Sequence, residues 1–356
     1  MQGIPNTQVK SVRIVGAGLI GTSIGLALKA SGVKVQFADI DQKAQLLAND
    51  LVKADEIASP DLVIIATPPS AFKATIEREA TLNPQSILMD IGSVKAKPLL
   101  EVSTIEGLLS RFCGTHPMAG REVSGAVSAR ADLFLDRAWI ITPTSETSEL
   151  VKNAVLQVIA ACGAQVVEMS AAEHDSRVAL ISHLPQTISS LLAAQLQVSS
   201  PEALTLAGAG LRDTVRIAGS DPKLWGEILA ANEAALMPLL INLQNDLAQV
   251  ISGASGPTKW ESLVAAGQSG KAAIPGKHGG KSHEYAYLPI VIDDRPGQLG
   301  ALFNACAKAE VNIEDITLEH SPGQLTAVIT LAISPEDHAR LTEFLTRDGW
   351  NVHSIA

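Results

Sequence analysis

The sequence predicts an α/β chain in three folded parts: a doubly wound parallel sheet, an all-helical segment, and a small βαββαβ sandwich. Three observations predict it. Short apolar runs alternate with helical patterns through the first 170 residues, which is the signature of strand–helix–strand crossovers. The pattern then becomes helix alone up to about Ile251. Beyond a glycine-rich stretch, strands and helices return in the order of a ferredoxin-like unit. The expected bounds are 1–170 for the Rossmann-like part, 171–252 for the helical part, 253–284 for a linker, and 285–356 for the small sandwich.

In the first part, Ser11–Gly16, Val33–Ala38, Leu62–Thr67, Ser86–Ile91, Ala138–Thr142 and Gln165–Met169 read as strands. Gly21–Ala30 and Gln42–Ala48 are among the crossover helices between them. In the second part, Val178, Ile181, Leu184, Ile188 and Leu191 recur at helical spacing. Another long helix starts at Ser220-Asp221-Pro222, where Ser or Asp caps and Pro suits the first turn. It runs through Leu224, Ile228 and Leu236, with a kink expected at Pro238. A helical segment this apolar buries a face against another copy, so a homodimer is expected. The stretch Gly253–Glu284 holds seven glycines, two prolines and four lysines and reads as linker. In the last part, Leu288–Ile292, Asn312–Glu319, Leu325–Ile333 and Trp350–Ile355 read as strands, with a turn at Pro322-Gly323. Leu299–Ala309 is one helix; Ser334-Pro335-Glu336-Asp337 caps a second that carries Leu341, Phe344 and Leu345 inward and ends at Gly349.

Composition narrows the function. The 356 residues carry 37 acidic and 27 basic side chains, a net charge of −10, so no basic surplus exists to neutralise nucleic-acid phosphates. Six Phe, four Trp and two Tyr leave the cores to Ala, Val, Leu and Ile. Cys113, Cys162 and Cys306 form neither a disulfide framework nor a metal-ligand set, and they fit a reducing cytoplasm. The uncharged run Ile14–Leu28 follows Lys10 and Arg13 as in a secretory signal, but its glycine spacing has another meaning. The longest stretch free of charged side chains, Val178–Pro201, is too polar to span a membrane.

Val12–Val15 leads into Gly16-Ala17-Gly18-Leu19-Ile20-Gly21, the dinucleotide fingerprint. Gly16 permits the tight turn, Gly18 lets backbone approach a pyrophosphate, and Gly21 lets the helix close on the strand. The helix N-terminus offers N–H groups and partial positive charge to the phosphates. Asp39 ends the next strand, where a carboxylate takes both ribose hydroxyls and repels a 2′-phosphate, which favours NAD over NADP. No metal is expected.

Sites in such folds lie at the carboxyl ends of the strands. Thr67-Pro68-Pro69, Gly92-Ser93-Val94-Lys95 and the segment Gly114–Gly120 converge there. His116, placed in a Gly- and Pro-bounded loop, is either a proton acceptor facing the cleft or an ordinary surface histidine. Arg212 and Arg216, four apart before a helix N-terminus, either bind an anionic substrate or order the turn through Asp213.

Six motifs carry a more specific likeness. They are Gly-Ala-Gly-Leu-Ile-Gly-Thr-Ser at 16–23, Asp-Ile-Gly-Ser-Val-Lys at 90–95, His-Pro-Met-Ala-Gly at 116–120, Glu-His-Asp at 173–175, Ser-His-Leu-Pro at 182–185, and Arg-Ile-Ala-Gly-Ser-Asp-Pro-Lys-Leu-Trp at 216–225. Over residues 11 to about 250 the chain resembles the prephenate and arogenate dehydrogenases of tyrosine biosynthesis. The last part, with Asp294-Arg295-Pro296-Gly297 opening its helix, resembles an ACT domain, and Ile274-Pro275-Gly276-Lys277 is similar to the join seen in relatives with that extension.

The resemblance implies NAD-dependent oxidative decarboxylation of prephenate to 4-hydroxyphenylpyruvate, with arogenate as the alternative substrate. It implies that His116 contacts the C4 hydroxyl, that Ser93 holds the His116 imidazole, and that Arg216 binds a substrate carboxylate. His183, Ser220 and Trp225 would line the pocket, and Glu122 would gate or tune it. Read without the resemblance, Trp225 is plain core. The chain departs from the family pattern at Gln186, where many relatives have a second His, and at Arg121, where a Thr is common. Gln186 bears on the keto-or-amino choice, and Arg121 adds a cation beside the site. The resemblance further implies a homodimer and L-tyrosine as feedback effector near Arg295, Pro296, Gly297, Gln298 and Leu299. Two rivals remain: another NAD oxidoreductase of the same layout, which would want a helix-borne Lys or Asp, and a ligand sensor without turnover, which would not need His116 and Arg216 in one cleft.

Overall fold

The structure, a computed structural model, describes residues 8–120, 125–253, 256–274, 285–319 and 325–353. The chain divides into two compact units, Met1–Gln249 and Val250–Ala356. The first opens with β1 (Ser11–Val15), α1 (Leu19–Ala30), β2 (Lys34–Ala38), α2 (Gln42–Val52), β3 (Leu62–Ile65), α3 (Pro69–Leu82), β4 (Ile87–Asp90) and α4 (Ala96–Ser103). It continues with β5 (Phe112–Pro117), β6 (Ala138–Thr142), α5 (Glu149–Ala161) and β7 (Gln165–Glu168). These strands form one seven-stranded sheet in the order β2-β1-β3-β4-β5-β6-β7.

Strands β3 and β4 are buried along their whole length, as centre strands covered on both faces must be. Alternation sends Ile14, Ile64 and Met89 into one core with Ile24, Leu28 and Val155. Val15, Val63, Ile65 and Leu88 enter the opposite core with Phe72 and Ile76. Gly25 lets α1 lie close on β2, because a Cβ there would stand 2.5 Å from Phe37 Cζ.

Two features differ from the sequence expectation. Residues 112–117 form a central strand, so His116 stands on a strand near its carboxyl end and not in a loop. Gly and Pro in Phe-Cys-Gly-Thr-His-Pro hide the strand, yet Gly114 is needed, since a Cβ would meet Thr142 Oγ1 at 2.6 Å. The sheet is also mixed. Strand β6 runs antiparallel to β5 and parallel to β7. Between β5 and β6 the described residues hold only the 3₁₀ turn Ala126–Ser128, and without a crossover helix the chain returns antiparallel.

The helical part comprises α6 (Ala171–Val178), a π-helical turn (Ala179–His183), α7 (Leu184–Gln195), α8 (Pro201–Thr205), α9 (Ala209–Val215), a 3₁₀ turn (Arg216–Gly219), α10 (Pro222–Ala231) and α11 (Glu233–Ser252). The kink expected at Pro238 lies instead at Asn232, where α10 and α11 meet at 93°. Pro238 is accommodated inside α11. Asn232 leaves helical geometry at φ −116°, ψ 22°, and its side chain is bonded into the interior. Among the described residues no single helix is long and apolar enough to cross a membrane.

In the second unit, α12 (Pro257–Ala272) is a helix within the stretch expected as linker. Its glycines, 267 and 270, fall in its last turns, where a helix tolerates them most readily. Then follow β8 (Ala286–Asp293), α13 (Gln298–Lys308), β9 (Asp315–Glu319), β10 (Thr326–Ile333), α14 (Pro335–Arg347) and β11 (Asn351–Val352). They form an antiparallel sheet in the order β11-β8-β10-β9, the ferredoxin-like arrangement. Leu341 and Leu345 of α14 meet Leu302 and Cys306 of α13 over Ile290, Ile329 and Leu331. The Pro322-Gly323 turn and the last residues of the expected strand Trp350–Ile355 lie outside the described residues.

All three cysteines are free and buried, and burial pushes the Cys113 and Cys162 thiols up to about 12. Replacing Gly25 by Ala forces the Phe37 ring aside in a filled core. Thermal denaturation should show a loss of about 1–3 kcal/mol; an unchanged melting temperature would mean that α1 does not press on β2.

Candidate active site

Strand β1 ends at Val15, and the chain turns through Gly16 at φ +116°. A Cβ on Gly16 would stand 2.3 Å from the Ala66 carbonyl oxygen, and one on Gly21 would stand 2.2 Å from the Gly16 carbonyl oxygen. Neither position admits a side chain. A Cβ on Gly18 would meet nothing within 4 Å, so open space lies where the loop backbone can approach a ligand. Helix α1 starts at Leu19 with no side-chain cap, which leaves its first N–H groups for an anion.

Asp39, after β2, accepts from the Ala17 N–H at 2.6 Å and the Asp41 N–H at 2.8 Å. Each of its oxygens keeps a further lone pair for a hydroxyl. Gly16, Gly18, Leu19, Ile20, Gly21, Asp39, Thr67, Pro68 and Ser93 all line one cavity of about 950 Å³. Thr67 Oγ1 is buried there with no hydrogen-bond partner among the described residues. The cradle, the uncapped helix and this orphaned hydroxyl fit a dinucleotide. Ala119, Gly120, Leu224 and Ile228 form other parts of the wall.

Beside this cavity lies a buried polar network that sequence reasoning did not assemble. Lys95 forms an ion pair with Asp90 and donates to the Thr115 carbonyl oxygen at 2.7 Å. Burial pulls the Lys95 ammonium down from its usual value, and Asp90 and Asp175 act against that. Asp175, from α6, accepts the Lys95 and Ala96 N–H groups at 2.7 and 2.8 Å. Burial acts to raise its carboxyl, but hydrogen bonds from His174 and those two N–H groups outweigh this and hold it below the usual carboxylate range. His174 Nδ1 stands 2.8 Å from Asp175 Oδ1, and its Nε2 stands 2.9 Å from His116 Nδ1.

His116 is partly buried, and among the described residues its Nε2 has no hydrogen-bond partner. Burial, with His174, Lys95 and His183 nearby, pushes His116 well below the ordinary imidazole value. The ring is therefore a neutral base at neutral pH. His174 engages Nδ1; Ser93, expected to hold the ring, lines the neighbouring cavity. His183 is also pushed down, chiefly by burial. Its Nδ1 lies 3.0 Å from Asn232 Nδ2, and its ring meets Trp225 edge-on at 6.1 Å. Trp225 is half-buried and so is not plain core.

Gln186 is buried. Nε2 donates to the Ile217 carbonyl at 3.0 Å, and Oε1 faces Ser220 Oγ at 3.4 Å, while the Ser220 hydroxyl donates to the same Ile217 carbonyl at 2.7 Å. It thus ties α7 to the turn that begins with Arg216. Arg212, on α9, and Arg216, at the head of the 3₁₀ turn, are both exposed. Arg121 and Glu122 lie outside the described residues. Among the described residues no His, Cys, Asp and Glu cluster suits a metal ion.

Sequence reasoning missed His174, Asp175, Asn232, Lys95 and Asp90 as site residues. The signal available was the polar triplet 173–175, which resembles a solvated first helical turn until the fold buries His174 and Asp175 and leaves Glu173 exposed. In the second unit, Gly297 caps α13 at φ +91° and Arg295 pairs with Asp293 at 2.7 Å, both on the exposed β8–α13 loop.

Residues 24–168 match the family model for the nucleotide-binding domain of prephenate dehydrogenase, and residues 170–266 match that for its dimerization domain. A probable prephenate dehydrogenase of Streptomyces niveus, NovF, is 31% identical, with 97% of this chain and 100% of that protein covered. The solved prephenate dehydrogenase of Aquifex aeolicus, in complex with hydroxyphenyl propionate and NAD+, is 27% identical with a TM-score of 0.64, covering 75% of this chain and 94% of that one. The arogenate dehydrogenase of Synechocystis is likewise 27% identical, with a TM-score of 0.61 over 74% of this chain and 100% of that one. With both domains matched and a relative aligned end to end, the chain belongs to the prephenate dehydrogenase family.

Proposed function

We propose that the chain catalyses the NAD-dependent oxidation of prephenate to 4-hydroxyphenylpyruvate, with loss of carbon dioxide. The observation that carries this reading is His116, a neutral imidazole held by a buried partner at the carboxyl end of the central strands. The glycine loop and the α1 N-terminus would hold the pyrophosphate, and Asp39 the ribose hydroxyls. Bound NAD supplies the hydride acceptor.

His116 takes the proton of the C4 hydroxyl as hydride leaves the same carbon. Once C4 carries a carbonyl, the ring carboxylate departs as carbon dioxide and its bonding electrons aromatise the ring, leaving a phenolate oxygen that regains the proton held by His116; no residue need drive the loss of carbon dioxide itself. The protein's task is to orient the substrate and balance its charge. Arg216 would bind a substrate carboxylate, Ser93 lines the nucleotide side, and His183 and Trp225 would form a wall of the substrate pocket. Gln186 and Ser220 hold the turn that presents Arg216. Because the Gln186 amide is used within the protein, we do not assign it the keto-or-amino choice.

The polarity of the π-helical turn and α7 together supports a homodimer. His183, Gln186 and Ser189 are buried, while Ile181 and Leu191 remain 61% and 56% exposed within one chain. An apolar face of this kind wants a second surface. Three buried thiols suit a reducing compartment such as the cytoplasm. The C-terminal sandwich reads as an ACT-like regulatory domain, with the β8–α13 loop, residues 295–299, as the effector site for L-tyrosine.

Initial rates of NADH formation test the main reading. The native chain should oxidise prephenate with NAD faster than arogenate, and faster than with NADP. The His116→Asn variant should lose about 10²–10⁴-fold in kcat. Because His116 is held below 6.5, the acid limb of kcat/KM should lie below that pH and activity should fall only as pH drops through it. No NADH from either substrate would overturn the reading; faster turnover of arogenate would assign the amino substrate. L-tyrosine should inhibit the full chain, with Arg295→Ala raising the concentration needed; equal rates with and without tyrosine would remove the effector.

A further inference from the structure

The two histidines nearest the proposed chemistry are both wired to one residue. A carboxylate can only accept hydrogen bonds, so the ionised Asp175 Oδ1 requires the proton of His174 to sit on Nδ1. A neutral His174 then presents a lone pair at Nε2. His116 Nδ1, 2.9 Å away, must carry the hydrogen of that contact. This leaves the lone pair of neutral His116 on Nε2, the atom without a partner among the described residues.

The second branch starts from the Asp175 main chain. Its carbonyl also can only accept, and it fixes the Asn232 amide with Nδ2 facing it at 2.8 Å. The other hydrogen on Nδ2 points to His183 Nδ1 at 3.0 Å, which must therefore be an acceptor. Neutral His183 then carries its hydrogen on Nε2.

We infer that Asp175 sets opposite tautomers in the two imidazoles, making His116 a proton acceptor at Nε2 and His183 a donor at Nε2. His174 and Asn232 are the positioning residues through which it acts. On the reading above, His116 takes the hydroxyl proton of the substrate while His183 gives a hydrogen bond to a substrate oxygen. The carboxylate sets one ring and the carbonyl sets the other. Wrong-tautomer variants of a catalytic histidine lose rate without losing the fold, because the base presents N–H where a lone pair is required.

The geometry allows a discriminating substitution. In His174→Gln the side-chain amide can present N–H to Asp175 and its oxygen to His116 Nδ1, keeping the direction of the relay. In His174→Phe neither is possible. The test uses the full chain with ¹⁵N-labelled histidine, His116 and His183 being assigned from the spectra of His116→Asn and His183→Asn. Native protein without substrate should show His116 protonated at Nδ1 and His183 protonated at Nε2. His174→Phe should abolish the His116 preference and lower kcat by about 100-fold or more, with KM held within about threefold. His174→Gln should restore the tautomer and most of the rate. Protonation of His116 at Nε2 in the native chain, or equal rates for the Phe and Gln variants, would overturn the inference. The spectra are read without turnover, so a failure of the prephenate assignment leaves a distinct signature: the expected tautomers with no NADH formed.

Discussion

The carboxylate of Asp175 joins parts of the chain that are far apart in sequence. It comes from α6, the first helix after the sheet, and accepts the N–H groups of Lys95 and Ala96 where α4 begins. A helix N-terminus carries unsatisfied donors and partial positive charge, so a carboxylate placed there is stabilised even when buried. That contact draws the helical segment onto the carboxyl edge of the sheet. The Asp90–Lys95 pair braces the same loop from below, with Lys95 reaching the carbonyl of Thr115 next to His116. Removing one member of a buried charge pair of this kind costs about 3–5 kcal/mol, because the other is left uncompensated. The site is therefore held by charges that are each satisfied several times over.

The helical segment has its polarity reversed relative to an ordinary surface helix. Polar side chains at 183, 186 and 189 face inward, and apolar ones at 181 and 191 face out. Burying polar groups is tolerable only where each finds a partner. His183 and Gln186 do, through Asn232, Ile217 and Ser220. Ser189 Oγ does not among the described residues. The acidity of the chain follows a similar division. Residues 285–356 carry ten acidic and four basic side chains, a net −6, whereas residues 1–284 carry only −4. A nearly balanced first part can bind anions through a helix N-terminus and a few arginines without a basic surface.

The nucleotide half of the site was legible because its determinants are local. Gly16, Gly18, Gly21 and Asp39 do their work within a single β–α–β unit, and their spacing encodes it. The ferredoxin-like unit was legible for a related reason, since caps, turns and strand alternation along residues 285–356 agree with one another. The acid–base half was not. Asp90, Lys95, His116, His174, His183 and Asn232 meet only after the sheet and helices assemble, and none has a periodicity that announces it. His116 was found, but on a strand whose Gly and Pro disguise it, and His183 was found only through the family likeness. The helix at 257–272 was hidden by the glycines around it, and the break at Asn232 by the more conspicuous Pro238.

These two halves make separable demands on the chain, and one measurement tests that separation. Equilibrium titration of the Asp175→Ala variant with NAD, beside its turnover, compares them in one protein. NAD affinity should stay within about threefold of native, since among the described residues no nucleotide-cradling residue hydrogen-bonds to Asp175, together with a loss of about 100-fold or more in kcat. NAD affinity falling in step with turnover would contradict it, and would mean that the nucleotide cradle also depends on the buried carboxylate.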